Sequence, residues 1–249
     1  MVEGYLLDFT KRVKDIITQV VLTNQSKQLE FLNVVQQEVL ENLVLERTDV
    51  KVLFDGGFAR AQRKRAIIAP SYMTHDMIDT NVSLYQIEVI ESRKITHSQI
   101  MGSLLGLSID RSVIGDIMVK DDIAYFASCS EFEEFLQENF TKIGLYNIRL
   151  KLIEGIVIYE QKFEEIEIIV PSMRLDVIVK ALTNTSRSKA EGYLDDGFIR
   201  LNHMTEKKPS RICNMGDVLS IRRHGRYTLD RIKKTTKNKK LVCIVKKSI

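Results

Sequence analysis

The sequence has no tryptophan, three prolines, three cysteines and four histidines in 249 residues, and each scarcity removes a class of protein. So few prolines leave no room for a proline-rich linker or a polyproline recognition tract. Cys129, Cys213 and Cys243 are odd in number and far apart, which suits reduced structural thiols better than a disulfide framework or a zinc cluster. His75, His97, His203 and His224 are too scattered for a metal site, so no metal is expected. The longest apolar runs, among them Ile156 to Tyr159 and Ile168 to Pro171, fall far short of the roughly 20 residues of a membrane helix. The opening Met-Val-Glu-Gly-Tyr-Leu-Leu-Asp has no basic start and no sustained apolar run. A secretory signal is therefore not expected, and the cytoplasm is the expected compartment. Residues 1 to 170 also lack a glycine-rich nucleotide loop, Walker spacing and the residue pairs of aminoacyl-tRNA synthetases. No nucleophile, base and orienting group form a coherent set. The expectation is a protein that is not an enzyme and uses no cofactor or small-molecule substrate.

What is present is charge, unevenly spread. With 44% hydrophobic and 28% charged residues the chain can bury one large core or several small ones. Its net charge of +4 conceals a division. Residues 1 to 170 hold 18 basic and 26 acidic side chains, a net of −8; residues 171 to 249 hold 19 and 7, a net of +12. A strongly basic module on an acidic body is the footprint of a polyanionic partner, whether RNA, DNA or an anionic membrane.

Leu6, Phe9, Val13, Ile16, Ile17, Val20 and Val21 recur at spacings of three and four, predicting an amphipathic helix. Asn33 and Gln36 stand in capping-box register ahead of Val35, Val39, Leu40 and Leu43, predicting a second helix. Residues 1–78 thus read as a small, mainly helical domain. Within it, Val50 to Phe54 is a strand-like run ended by Gly56-Gly57, and the basic run Arg60, Arg63, Lys64 and Arg65 follows. That run is either a second RNA contact or a solvated loop.

From Val82 the pattern changes. Strands at Val82 to Ile90, Ile114 to Val119, Ile123 to Ala127 and Ile148 to Leu152, with helices at His97 to Leu105 and Glu131 to Phe140, give the order βαββαβ. Asp121-Asp122 would form the hairpin turn. Residues 79–170 therefore read as a ferredoxin-like, RRM-like domain. Tyr125 and Phe126 are adjacent and face opposite ways on a strand, so at most one could stack on a base.

Residues 171–249 form the basic module. Leu175, Ile178, Ala181 and Leu182 predict one helix, and Ser186 caps a second that buries Ala190, Tyr193 and Leu194 and ends at Asp195-Asp196-Gly197. Phe198 to Asn202 and Val218 to Arg222 read as strands. Two helices on a small sheet result, and the whole chain falls in the α+β class.

The strings Arg174-Leu175-Asp176, Ser186-Arg187-Ser188-Lys189-Ala190, Gly197-Phe198-Ile199-Arg200-Leu201-Asn202 and Gly216-Asp217-Val218 resemble the RNA-binding domain named after small-subunit ribosomal protein S-four. With Ser220-Ile221-Arg222-Arg223-His224-Gly225-Arg226-Tyr227, and Gly56-Gly57 followed by Arg63-Lys64-Arg65-Ala66, the chain is similar to the YlmH proteins of Gram-positive bacteria. One departure is that Arg223-His224 stands where members often carry a small residue before the Gly-Arg pair. The resemblance implies an RNA-binding protein that associates with the large ribosomal subunit, contacts ribosomal RNA and peptidyl-tRNA, and supports quality control of stalled nascent chains. Many such proteins are encoded near cell-division genes.

The residues suit that chemistry. Arg187 and Lys189 sit in the first turn of a helix, where cations oppose the macrodipole, so their presence favours anion binding over helix stability. Arg222, Arg223 and Arg226 are crowded enough to repel one another unless phosphate neutralises them, and arginine also stacks on unpaired bases. Ser186, Arg200, Lys207 and Lys208 complete the expected RNA surface. Arg174 can contact RNA or pair with Asp176, and Asn202 suits a turn better than base reading. Lys233 to Lys240 adds five lysines in a hairpin or loop with non-specific attraction for polyanions. Two other readings stand beside this one. An RNA-modifying enzyme is suggested because Arg174-Leu175-Asp176 mimics a pseudouridine synthase string. A membrane-surface division adaptor is permitted by the basic tail, although the basic residues do not lie on an amphipathic helix.

Overall fold

The computed structural model describes residues 2–90, 94–120, 123–155 and 163–248. The chain divides into two compact units, residues 3–159 and 160–249. The Asp121-Asp122 turn and the Ile156 to Tyr159 run lie outside the described residues.

The first unit opens with helix α1 (Val2–Thr23), whose buried Phe9, Val13, Ile17 and Val20 follow the three-and-four spacing read from the sequence. Strand β1 (Lys27–Leu32) precedes helix α2 (Val34–Val44). Asn33 caps α2 by accepting from the Gln36 amide at 3.0 Å, while the Gln36 side chain accepts from the Asn33 amide at 2.9 Å. Strands β2 (Val50–Asp55) and β3 (Lys64–Pro70) complete an antiparallel sheet in the order β1-β3-β2. The expectation of a mainly helical domain is corrected accordingly, since its two helices pack on three strands. The sheet is hidden in the sequence because β3 begins Lys64-Arg65, which reads as a solvated basic run, whereas the Arg65 side chain is buried.

The unit continues with β4 (Val82–Val89), α3 (His97–Gly106), β5 (Ile114–Lys120), β6 (Ile123–Cys129), α4 (Glu133–Asn139), β7 (Lys142–Ile143) and β8 (Tyr146–Ile153). The antiparallel sheet runs β5-β6-β4-β8-β7, the strand arrangement of the ferredoxin-like plan with one short strand added. Its core holds Tyr85 stacked on Phe126 at 4.8 Å and Phe140 set edge-on to Phe126 at 5.8 Å. The two subdomains share this core, because Phe31, Phe58 and Ala61 belong to the same apolar cluster as Leu84 and Ala127.

The second unit consists of β9 (Phe163–Val170), α5 (Leu175–Thr183), α6 (Arg187–Asp195), β10 (Ile199–Leu201), β11 (Met204–Thr205), β12 (Val218–Ile221), β13 (Gly225–Thr235) and β14 (Leu241–Ser248). The sheet order is β11-β10-β12-β13-β14-β9. Strand β9 pairs with β14 from Phe163↔Ser248 to Val170↔Leu241, so the boundary expected at 170/171 moves to before β9. Pro171 marks the end of a strand, not the start of a domain. Helices α5 and α6 bury Leu175, Ile178, Val179, Ala190 and Leu194 against Ile199, Leu219, Leu229 and Val245. At about 1.5–3 kcal/mol for each fully buried large aliphatic, this one face provides most of the unit's drive to fold. Asn202 and His203 both adopt positive φ (48° and 68°) in the two-residue turn joining β10 to β11. Asn202 is thus the turn-former that its residue type suggests. Among the described residues no helix is long and apolar enough to cross a membrane.

Candidate nucleic-acid interface

The second unit organises its expected site around a buried acid. Asp176, in the first turn of α5, is 0% exposed and accepts from Arg174 Nε and Nη2, both at 3.0 Å. Arg187, from the first turn of α6, reaches the same carboxylate at 2.8 Å and also pairs with Glu191 at 3.1 Å. Burial alone would push the Asp176 carboxyl up, but the hydrogen bonds and charges of Arg174 and Arg187 hold it below its ordinary value. Arg174 thus forms the ion pair that is one of its two readings. Arg187 escapes the macrodipole conflict through Asp176 and Glu191, so the first-turn position by itself does not call for phosphate. Ser186 serves α6 by accepting from the Lys189 amide at 3.2 Å. The α5 amides of Leu175 and Asp176 donate to the carbonyls of Arg211 and Pro209 at 2.8 and 3.1 Å, so the loop after β11 caps this helix end.

The turn between β12 and β13 presents free cations. His224 N donates to Ile221 O at 2.9 Å, and Arg223 takes φ +68°, a left-handed conformation that a small residue adopts with less strain. This is how the chain accommodates Arg223-His224 before Gly225-Arg226. The Arg222 guanidinium lies 4.9 Å from the Phe198 ring centroid, and its amide donates to Phe198 O at 3.0 Å. Tyr193 lies 5.6 Å from His224 and 6.3 Å from Phe198, while Tyr227 Oη donates to His224 O at 2.8 Å. Arg226 Nη2 lies 3.0 Å from His203 Nδ1. Burial, and then the charges of Arg226 and Arg200, lower the His203 pKa, so its ring stays neutral near neutral pH. These contacts fix where the arginines stand before any partner arrives, which reduces the ordering cost of binding.

Ion pairs of the described residues include none of Lys189, Arg200, Lys207, Lys208, Arg222 and Arg223, all of them exposed. Arg200, Ser220 and Arg226 are cross-strand neighbours on the sheet face opposite the helices. A shallow hollow of about 460 Å³ lies beside them in sequence, lined by Glu206, Lys208, Ser210, Arg211, Ile212 and Asn214. Arg211 and Phe198 escaped the sequence reading. The neighbouring Lys207-Lys208 run was the only signal for Arg211, and nothing local announces that Phe198 supports Arg222.

In the first unit the basic run has another fate. Arg65 is 5% exposed and gives its fork to Glu131 at 2.8 Å and to the carbonyls of Asn81 (2.5 Å) and Leu29 (3.2 Å). Arg63 donates to the carbonyls of Phe31 and Ile114 at 2.7 and 3.1 Å, and burial lowers its pKa. Burial, then the nearby Arg63, pushes Arg111 down to about 10, and burial raises Asp116. Arg63 and Arg65 therefore join the two subdomains of the unit and are corrected as RNA contacts, because their donors are consumed inside. Arg60 is exposed and Lys64 half-buried. Phe126 is fully buried, which leaves half-exposed Tyr125 as the one aromatic of that pair accessible to a base. The three thiols are buried, and burial pushes Cys129 up to about 11 and Cys213 up to about 12. No cluster of metal-ligating side chains occurs among the described residues.

Fold and surface together define a class, that of α+β proteins joining a ferredoxin-like domain to a basic module of two helices on a sheet. Residues 76–155 match the family described as the putative RNA-binding domain in YlmH. The chain is 29% identical over 217 residues, 86% of its length and 84% of the relative's, to ribosome-associated protein quality control protein P2 of Bacillus subtilis (strain 168). It also resembles the structure of cell division protein ylmH from Streptococcus pneumoniae, with TM-score 0.52 and 24% identity, covering 60% of this chain and 93% of that one. The chain is thus similar to YlmH proteins over most of its length, and residues 76–155 carry the domain named after them, the resemblance that its sequence motifs imply.

Proposed function

We propose that this protein is a non-enzymatic, cytoplasmic RNA-binding protein that associates with the large ribosomal subunit, contacting ribosomal RNA and peptidyl-tRNA during quality control of stalled nascent chains. The observation that carries this reading is the turn at Arg222-Arg223. Its two arginines are exposed and form no ion pair among the described residues, and Phe198 holds Arg222 in place, whereas Arg174, Arg187 and Arg231 of the same module are matched by carboxylates. A surface of this kind suits phosphate oxygens, because the positions of the donors are set before contact. The likeness to a Bacillus subtilis protein named for ribosome-associated quality control supports the ribosomal setting. Lys189, Arg200, Lys207, Lys208 and Arg226 extend the proposed surface, with Arg211 added from the hollow. Arg187 contributes the part of its side chain, 58% exposed, that faces away from Asp176.

Gradient sedimentation of tagged protein at low and moderate salt tests the proposal. The expected result is enrichment with the free large subunit together with peptidyl-tRNA, lost in the Arg222→Ala/Arg223→Ala variant. Protein that stays at the top of the gradient at both salts overturns the ribosomal reading.

A further inference from the structure

The outer face of the six-stranded sheet, opposite α5 and α6, has a charge pattern that the expected interface does not explain. Register assigns its residues. Arg200, Ser220 and Arg226 form one row; Thr228, Lys246 and Glu165 the next; then Arg231, Ile244 and Glu167; then Lys234, Val242 and Ile169. The middle of this face is neutralised internally. Arg231 pairs with Glu165 at 3.4 Å and also with Asp230, Lys233 pairs with Glu167 at 2.8 Å, and Lys246 pairs with Asp230 at 2.6 Å. The acids come largely from β9, which reduces the net charge of the module from +12 for residues 171–249 to +9 for residues 163–249, with 19 basic and 10 acidic side chains.

Both ends remain positive. At one end stand Arg200, Arg222 and Arg223. At the other, the loop from β13 to β14 carries exposed Lys237, Lys239 and Lys240, which make no ion pair among the described residues, and Lys234, close enough to Glu167 to lower its pKa but not ion-paired with it. The loop is closed by its own hydrogen bonds, Thr236 N to Lys240 O at 2.8 Å and Lys239 N to Thr236 O at 2.9 Å. The two ends are the two ends of β13, which runs eleven residues from Gly225 to Thr235. At about 3.3 Å per residue, they stand roughly 30 Å apart. That is too far for one phosphate cluster, and it is a span on the scale of one helical turn of a duplex, which is about 34–36 Å in B-form.

We infer that the lysine loop between β13 and β14 is a second phosphate-binding point, so that this module grips one RNA duplex at two places roughly 30 Å apart, the arginine turn holding one backbone and the lysine loop another. The inference rests on the arginine turn being an RNA contact. Double-stranded RNA is the occupant that fits, because its phosphates recur on a rigid lattice and are recognised by shape. The ion-paired belt between the two ends has little net charge to offer a phosphate.

The test uses the full-length protein with two RNA duplexes. One has about 16 base pairs, the length across which a compact domain meets successive grooves, and one about 6, too short to reach both ends. Affinity is measured against salt for wild type, for a loop variant (Lys234, Lys237, Lys239 and Lys240 to Gln) and for Arg222→Ala/Arg223→Ala. The loop variant is expected to flatten the salt slope on the long duplex by about 3 and to leave the short duplex unaffected. The arginine variant is expected to weaken binding to both. Equal losses of the loop variant on both duplexes, or none on either, overturn the two-point grip while leaving the arginine turn in place. Full binding by the arginine variant overturns both readings, as does wild-type protein that binds neither duplex. The substituted side chains are exposed, and unchanged circular dichroism confirms that each variant is folded.

Discussion

Two arginine-rich segments, Arg63-Lys64-Arg65 in the first unit and Arg222-Arg223 with Arg226 in the second, have nearly the same composition and opposite uses. In the first, strand β3 is the central strand of its sheet, so its side chains meet protein on both faces and the guanidiniums end against carbonyls and Glu131. In the second, a tight turn projects Arg222 and Arg223 beyond the sheet, where Phe198 supports Arg222 without neutralising it. A cluster of arginines thus becomes a staple or an exposed cationic surface according to whether its backbone is central in a sheet or lies at a turn. The acid count nearby does not decide it, since Asp217 is close in sequence to the turn yet is occupied by Asn202 and the Asn214 amide.

Replacing the acids and staples should break stability without touching the free arginines. The largest effect is expected from Asp176→Ala, which leaves Arg174 and Arg187 facing each other without their carboxylate. Loss of a buried partner costs about 3–5 kcal/mol, and because both arginines reach solvent about 2–3 kcal/mol is expected, measured by urea denaturation. Arg65→Met should cost about 2 kcal/mol by leaving two buried carbonyls and Glu131 unmatched, while affinity for duplex RNA is unchanged. Loss of RNA affinity in this variant would erase the distinction between the two clusters.

The opposite outcome is expected at the turn. Arg222→Ala/Arg223→Ala should lower RNA affinity and reduce the salt slope by about 2 with stability nearly unaltered. A slope equal to that of wild type would show that these side chains do not meet phosphate.

Acid lability separates the regions further. The Asp176 pKa is lower in the folded than in the unfolded protein, so its contribution is complete above the ordinary carboxylate range and is lost as pH falls below about 4. Stability of the second unit should decline there on acidification, and Asp176→Asn should flatten the decline. Equal slopes for wild type and variant would mean that Asp176 titrates normally. The smallest effect is expected from Arg223→Gly, which relieves the left-handed conformation and should add about 0.5–1 kcal/mol to stability while weakening RNA binding. A variant that gained stability and kept full affinity would show that the turn's shape, not the Arg223 charge, is what RNA needs.

Much of this was legible locally. Helix periodicity placed α1, α5 and α6, the Asn33–Gln36 capping box placed the start of α2, and Gly197 and Gly216 at positive φ mark turns that their residue type announces. The βαββαβ order of the middle domain followed from alternating periodicities. The site was legible as a list of basic residues, not as a division of labour. Arg187 in a first turn looked like a conflict resolved by RNA, and the resolution is Asp176, eleven residues away on another helix.

The sequence by itself determined the elements, their caps and turns, the fold class, the charge asymmetry and the resemblance to YlmH proteins, because each is written in patterns spanning a few residues or in composition. Only the tertiary structure decided that β9 belongs with β14, where Val170 meets Leu241. It alone decided that β3 is central and buries Arg65, and which arginines are left unpaired. The physical reason is that a strand's partner, and hence the burial of its side chains, is set by long-range register. A guanidinium binds whichever acceptors that register brings within reach, and no short window of sequence contains them.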